Sequence, residues 1–380
     1  MIYLDYAAAT PVEKRVLEKM RPYFTKLFAN PSSGHDFGKG VRKAVEEARR
    51  RVAKCLGVES SEIIFTSSGT ASINLALVGV CRTLRLQGKG SHIVTTKVEH
   101  KAVLETCRYL EKEGFAVTYL DVDKSGLVTK RAVMAALRHG TIMVSIMYAN
   151  NEVGTVEPVA EIAHVVRKRG ILLHTDTCQA GNVLDIRIKR LGVDLLSLNA
   201  SKIYGPKGVG VLYVRSGVLL DPLIHGGGQE RGIVSGTENV AGIVGCSYAL
   251  EFAQKKYKQE AERLGTLRNY LRTEIKKEIS DVKVLGHPLK VLPSILTVAF
   301  RGVEAEAILQ YLSCKKIYVS TGSACSSLEV EVSSVLDAMN VADDYIKGAI
   351  RFSLGKMTTR KDLVRVVREL RIIVAALRQI

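Results

Sequence analysis

The sequence predicts an α/β fold: a mostly parallel mixed sheet flanked by helices, followed by a smaller α+β unit at the C-terminal end. Short, uniformly apolar runs alternate with amphipathic helical stretches from about residue 60 onward, as parallel strands covered on both faces require. Polar punctuation falls at the C-terminal ends of these runs, where such a sheet places its ligand site. After Gly226-Gly227-Gly228 the texture changes to a long charged helical stretch that contains no strand.

In chain order, the expected strands are Ile63–Thr66, His92–Thr96, Ala116–Val122, Thr141–Tyr148, Ile171–Asp176, Leu195–Asn199 and Val209–Val214. Helical periodicity fills Thr70–Arg85, Lys101–Glu113, Lys130–Leu137 and Pro158–Arg169. Asn239 to Ser280 reads as one linking helix. Strands are then expected at Ser294–Phe300 and Ala349–Leu354, with a terminal helix over Arg360–Gln379. No internal repeat is apparent.

Composition narrows the function classes. With 380 residues and 47% hydrophobic content the chain can bury a sizeable core, and disorder or low complexity is excluded. The seven cysteines, at 55, 81, 107, 178, 246, 314 and 325, include no CxxC and do not make a disulfide scaffold. The start MIYLDYAAATP has an acid at Asp5 and no basic-then-apolar run, so a cytoplasmic location is expected. The longest uncharged run, Ile63 to Cys81, is broken by Ser67-Ser68-Gly69-Thr70 and cannot be a continuous apolar span. A net charge of +17 is spread over clusters such as Arg49-Arg50-Arg51 and Arg167-Lys168-Arg169, expected on solvated helix faces. With 6% aromatics and no Trp, this favours acidic partners over direct nucleic-acid binding.

The common nucleotide, zinc and hydrolase motifs fail. There is no P-loop, no GxGxxG after the first strand, no HExxH and no GxSxG. Four features survive and together point to a pyridoxal phosphate site. Ser67-Ser68-Gly69-Thr70 joins a strand to a helix, whose N-terminal N–H groups and Thr70 hydroxyl suit a phosphate. Asp176 ends a buried strand, where a pyridinium nitrogen would partner its carboxylate, and Gln179 is within reach of the ring's phenolic oxygen. Lys202 sits at a strand end among small polar residues, where desolvation favours amine chemistry. Cys325 lies in Ser320-Thr-Gly-Ser-Ala-Cys-Ser-Ser327, without the large apolar neighbours of a structural cysteine such as Cys81 or Cys246. Singly, each has an ordinary reading as a cap, a strand-end acid, a solvated lysine or an inert loop thiol.

In combination the sequence resembles the cysteine desulfurases, fold-type-I pyridoxal-phosphate enzymes of the class-V aminotransferase superfamily. The resemblance runs from Tyr3-Leu-Asp-Tyr and Asn30-Pro-Ser-Ser-Gly-His through Phe65-Thr-Ser-Ser-Gly-Thr, Val98-Glu-His-Lys-Ala-Val and Asn150-Asn-Glu-Val-Gly. It continues with His174-Thr-Asp-Thr-Cys-Gln, Lys202-Ile-Tyr-Gly-Pro-Lys-Gly and Gly226-Gly-Gly-Gln-Glu-Arg-Gly, then Ser323-Ala-Cys-Ser-Ser and Ile350-Arg-Phe-Ser-Leu-Gly. The Thr321-Gly-Ser-Ala-Cys segment is similar to that of the long-loop class.

The resemblance implies Lys202 as Schiff-base lysine, Asp176 as pyridinium partner, Gln179 on the phenolic oxygen, and His100 over the ring as a proton shuttle. It implies Gly69, Thr70, Asn199 and Ser201 around the phosphate, with Thr237 contributed by the neighbouring subunit of a homodimer. Asn151 and Arg351 would clamp the substrate carboxylate and Cys325 would accept sulfur. The implied reaction turns L-cysteine into L-alanine and a Cys325 persulfide, for an acidic acceptor such as an iron–sulfur scaffold or a tRNA-thiolation protein. The implied domains are 13–258, which binds cofactor, and 1–12 with 259–380, which carries the Cys325 loop and Arg351. The sequence departs from the family pattern at Asn199-Ala200-Ser201, where Ser-x-His is usual, and at Val234, where Arg is usual; Ala71 and Ile73 replace common acids. A selenocysteine lyase and an aminotransferase are the rivals of like fold, though an aminotransferase has no use for a reactive cysteine. A basic, non-catalytic scaffold is the rival of another class.

Overall fold

The structure, a computed structural model, describes residues 1–321 and 333–379, so Cys325 lies outside the described residues. The strands are β1 (Ile2–Tyr3), β2 (Ile63–Thr66), β3 (His92–Thr96), β4 (Ala116–Leu120), β5 (Thr141–Ser145) and β6 (Leu172–Asp176). They continue with β7 (Leu195–Asn199), β8 (Gly210–Val214), β9 (Val282–Leu285), β10 (Ile295–Phe300), β11 (Ile317–Tyr318) and β12 (Ala349–Ser353). Seven of these form one sheet in the order β2-β8-β7-β6-β5-β3-β4.

Strands β7, β6, β5, β3 and β4 are parallel, and β8 runs antiparallel to both β7 and β2. Two reversals restore direction, so β2 runs with β7. The C-terminal ends of β2, β7, β6, β5 and β3 therefore share one edge. Register tightens this: Thr66 and Asn199 both sit opposite Gly210. A Cβ on Gly210 would fall 2.3 Å from the Ser68 carbonyl oxygen, so only glycine lets the turn after β2 cross the start of β8.

Alternation distributes the strand side chains to two faces. Ile63 and Phe65 join a core with the helices Asp36–Leu56, Val159–Arg167 and the first part of Val240–Glu278. Ile64 faces the opposite core, against the helix segments Gly69–Asn74 and Lys101–Lys112. Each fully buried Ile or Leu stabilises by roughly 2 kcal/mol, and both faces are covered, so the strand ends make a rigid platform. The edge strand β4 is only partly buried and stops at Leu120, and β5 stops at Ser145, both earlier than the apolar runs predict.

The helix expected over Thr70–Arg85 starts one residue earlier, at Gly69, and is not regular throughout. Leu75–Gly79 winds as a π turn between two α segments. The Asn239–Ser280 expectation corresponds to one helix, Val240–Glu278, capped by Asn239 Oδ1, which accepts from Gly242 N at 3.0 Å. Its first part packs in the sheet core through Ile243, Val244 and Leu250. Its last part packs through Leu264, Leu271 and Ile275 in a second core with β12-β10-β9 and the terminal helix Arg360–Leu377. The chain start is sewn into that second core: β1 pairs in parallel with β11, Ile2 opposite Ile317.

One composition-based expectation is corrected here. Arg49 is not on a solvated face. Its side chain is 4% exposed and paired with Glu230, because the helix Asp36–Leu56 turns that residue inward onto the edge of β2.

Candidate active site

The residues singled out in the sequence converge on the shared strand-end edge. One cleft is lined by Gly69, Thr70, His100, Asn151, Asp176, Gln179, Asn199, Lys202 and Arg351. Ser201 is buried immediately beside it. Thr237 is not in this cleft. It lines a separate, mostly apolar cavity of about 440 Å³ with Phe65, Thr66, Ser67 and Val234.

Lys202 closes the 3₁₀ turn Ala200–Lys202 that follows β7. Two residues on, Tyr204 adopts φ 62°, a left-handed conformation that costs a non-glycine residue on the order of 1 kcal/mol. Thr10 holds that turn, its Oγ1 accepting from Tyr204 N at 2.8 Å while its N donates to the Ser201 carbonyl at 3.0 Å. The Lys202 ammonium donates to the Ala7 carbonyl at 2.8 Å and to that of Ala8. Gln179 Nε2 donates to the same Ala7 carbonyl at 3.0 Å. The N-terminal segment is thus a wall of the cleft, a role that no local sequence signal announced.

Asp176 ends β6, its Oδ1 accepting from Cys178 N at 2.8 Å. Beneath it, fully buried His174 bridges three strands, Nδ1 with Ser145 Oγ at 2.8 Å and Nε2 with Ser197 Oγ at 3.0 Å. Burial lowers the pKa of this imidazole to about 4. His100 caps the helix Lys101–Lys112, Nδ1 accepting from Ala102 N at 3.0 Å, which leaves Nε2 to carry the ring proton. The preceding Glu99 is buried and braces β3 to β5, Oε1 accepting from Met147 N at 2.7 Å. Burial, reinforced by the Asp176 charge, holds its carboxyl well above the ordinary pKa.

The first helical turn offers Gly69 and Thr70 N–H groups, with Ser68 Oγ accepting from Ala71 N at 3.1 Å. A Cβ on Gly69 would stand 2.8 Å from Cys178 Sγ and 3.1 Å from Asn199 Cβ, so the cradle there exists because residue 69 is glycine. Asn199 Oδ1 accepts from Ser201 N and Oγ, at 3.2 and 3.1 Å. Cys178 was not singled out in the sequence although it lies inside the His174–Gln179 motif. Burial, then the Asp176 carboxylate, push its thiol well above the usual range, so it remains protonated.

Arg351, on β12, comes from the second core to close the cleft. Nη1 donates to the Asn151 carbonyl at 3.0 Å and Nη2 to Asp5 Oδ1 at 2.9 Å. Nε is buried and has no hydrogen-bond partner among the described residues. Asp5 is the residue that sequence reasoning missed here: 346 positions separate it from Arg351, and only the chain's return brings them together. Of the described residues flanking Cys325, those before it reach the cleft residue Arg351 and those after it reach Glu152, next in sequence to Asn151. Ser320 exchanges backbone hydrogen bonds with Arg351, at 3.2 and 2.7 Å, and the Ser333 hydroxyl donates to Glu152.

Pyridoxal phosphate fits this donor set. An amine, a strand-end carboxylate, a glycine cradle at a helix start, and a buried guanidinium whose Nε–H is unpartnered among the described residues face one cleft. Among the described residues no cluster of His, Cys, Asp or Glu could hold a metal ion, and no helix is long and apolar enough to cross a membrane.

Comparisons with known proteins give the family. The family model described as aminotransferase class-V matches residues 2–366. A cysteine desulfurase IscS of Dictyoglomus turgidum is 50% identical over 362 residues, 95% of this chain and 91% of the relative. A solved NifS-like protein superposes with a TM-score of 0.92 at 39% identity, covering 99% of each chain. The structure described as SspA in complex with cysteine superposes at 0.83 and 38% identity, covering 93% of this chain and 99% of that one. The chain thus belongs to the class-V aminotransferase family, among its cysteine desulfurases.

Proposed function

We propose that the protein is a pyridoxal-phosphate-dependent cysteine desulfurase that turns L-cysteine into L-alanine and leaves the sulfur as a persulfide on Cys325. The observation that carries this reading is the meeting of Lys202, Asp176 and His100 with an Arg351 whose Nε–H is buried and, among the described residues, unpartnered. An aminotransferase would share the amine and the carboxylate, but it needs no thiol segment whose two flanks rest on the substrate arginine and on Glu152.

In this reading Lys202 Nζ, Asp176, Gln179, Asn199 and the Gly69–Thr70 turn hold the cofactor, and Thr237 of a second copy completes the phosphate site. The bound cofactor supplies an electron sink for negative charge at the substrate Cα. Arg351 takes the substrate carboxylate with its guanidinium edge, supported by Asn151. The Asp5 contact keeps that edge oriented before substrate arrives. Lys202 Nζ leaves the Ala7 and Ala8 carbonyls and moves the Cα proton as general base. His100 Nε2, its tautomer set by the Ala102 N–H, holds a second proton near the sulfur. The Cys325 thiolate then attacks the substrate sulfur: an S–S bond forms, the C–S bond breaks, and the departing carbon is protonated to alanine. The balance is cysteine plus Cys325 thiol to alanine plus Cys325 persulfide.

The large domain, 13–258, supplies the cofactor residues, and the small domain, 1–12 with 259–380, supplies Arg351 and Cys325. A cytoplasmic homodimer passing sulfur to an acidic acceptor, such as an iron–sulfur scaffold or a thiolation protein, is the setting that the +17 charge and the reducing demand of a free thiol suit. The test is an absorbance spectrum of purified protein before and after L-cysteine, with alanine and sulfide assayed together. With a thiol reductant present to release the persulfide sulfur as sulfide, cofactor absorbance and equimolar alanine and sulfide are expected without any keto acid. Cys325→Ala should retain the absorbance and lose sulfide. A colourless protein that stays so with added pyridoxal phosphate would refute the reading, as would persulfide turnover by Cys325→Ala.

A further inference from the structure

The Arg49–Glu230 pair lies outside the cleft, and the reaction above makes no use of it. Both side chains are nearly fully buried, at 4% and 5% exposure. The contact is bidentate: Arg49 Nη1 donates to Glu230 Oε2 and Nη2 to Oε1, each at 2.7 Å. A buried ion pair is a poor device for stability alone, because desolvation offsets most of its attraction. Arg49 Nε also donates to the half-exposed Glu46 at 3.1 Å, one turn away on its own helix, and the pair's hydrogen bonds to strand backbone indicate what it does instead.

Strand β2 is an edge strand, paired on one side with β8. Its other side presents the Ile63 carbonyl and the Phe65 N–H, which flank Ile64 as strand geometry requires. Arg49 Nη1 donates to the Ile63 carbonyl at 2.9 Å, and Glu230 Oε2 accepts from Phe65 N at 2.8 Å. The ion pair thus occupies the place of a neighbouring strand on the segment that runs directly into the Ser67–Thr70 phosphate turn.

Glu230 also anchors the segment that bears Thr237. Glu230 and Arg231 are both left-handed, at φ 48° and 62°, strained values for residues with side chains. Arg231 Nη2 donates to the Ser60 carbonyl at 3.0 Å, a second attachment to the turn before β2. Gln229 Oε1 accepts from Gly236 N at 2.9 Å, folding the segment back so that Thr237 follows. Thr237 and Thr66-Ser67 consequently face one cavity.

We propose that Arg49 and Glu230 are positioning residues for cofactor phosphate binding. One buried ion pair holds the strand that feeds a copy's own phosphate turn in register with the segment that carries Thr237. The proposal rests on the pyridoxal phosphate reading, and wild-type protein supplies the control: if it binds no pyridoxal phosphate, that reading fails, not this one.

The test measures the pyridoxal phosphate dissociation constant by titrating apo-protein, beside the apo melting temperature, for wild type, Arg49→Lys, Glu230→Gln and the double variant Arg49→Met with Glu230→Met. The double variant leaves no unpaired buried charge and is expected to fold. Each variant that is folded at the assay temperature should bind pyridoxal phosphate about tenfold more weakly or worse, the scale on which a lost supporting contact loosens a site. A folded variant that melts lower yet binds within about twofold of wild type would make the pair merely structural and overturn the proposal. Wild-type hydrogen exchange covers the case in which no variant folds. Pyridoxal phosphate should slow exchange in 228–237 together with 63–70, and indifference of 228–237 would overturn the proposal equally.

Discussion

Replacing His174 with Asn should remove a defined part of the protein's acid sensitivity. The imidazole is fully buried between Ser145 and Ser197, at the centre of β6, and burial lowers its pKa from 6.5 to about 4. The folded state therefore resists a proton that the unfolded chain accepts, and stability must fall as pH drops from about 6.5 toward 4. Above 6.5 both states are neutral there and the term vanishes; below 4 the loss is complete. Between pH 7 and 5, linkage gives a loss of about 2 kcal/mol from this residue alone. An asparagine amide can bond to both hydroxyls and does not titrate. Urea unfolding of apo-protein at pH 7, 6 and 5 measures this, and the difference between wild type and variant cancels every other titrating group. Equal losses in the two proteins across that range would refute the assignment of a neutral, proton-resisting His174.

Gly69→Ala should weaken pyridoxal phosphate binding while leaving the fold intact, because its Cβ would press on Cys178 Sγ at 2.8 Å and Asn199 Cβ at 3.1 Å. Overpacking of roughly 1–3 kcal/mol would appear in the titration of apo-protein, and unchanged affinity would show that the cradle has room to spare. Arg351→Lys keeps the charge but loses the fork and the Nε–H. The KM for L-cysteine should rise by about 10- to 100-fold, with pyridoxal phosphate affinity much less affected. Glu157→Gln should relieve an alkaline weakness. Burial holds the Glu157 carboxyl up at about 8, so the unfolded chain releases a proton that the folded state keeps, and stability falls as pH rises from 4.5 toward 8. The loss between pH 5 and 8 is about 3 kcal/mol, and the glutamine variant should lack it in urea unfolding.

Much of the fold was legible because the physics was local. In a parallel sheet covered on both faces nearly every strand residue is buried, so β5, β7 and β8 read as mostly apolar runs, β3 and β6 as short apolar pairs beside small polar residues and His, and the strand-end residues Asp176 and Asn199 followed. The two-residue strands β1 and β11 were not legible, since a pair that short has no periodicity to detect. The π turn at Leu75–Gly79 was likewise hidden, because its composition is that of any buried helix. Arg49 was misjudged for a related reason. Three consecutive arginines on an amphipathic helix look alike in sequence, and only helical rotation against β2 decides which one is buried.

The sequence by itself determined the layered α/β plan, the family, and the candidate groups for the proposed chemistry: an amine, a carboxylate, a capping histidine and a guanidinium at strand or helix ends. These are set by residue type and short-range pattern, which act over a few positions. Only the tertiary structure decided how they are held. It brought Asp5 onto Arg351 and the Ala7 and Ala8 carbonyls onto Lys202, and it kept Thr237 out of its own chain's cleft. Such contacts join residues hundreds of positions apart, and nothing local in either partner encodes the other. They exist because the chain start returns to pair with β11 and because two reversals around β8 bring β2 to the edge where the other strands end.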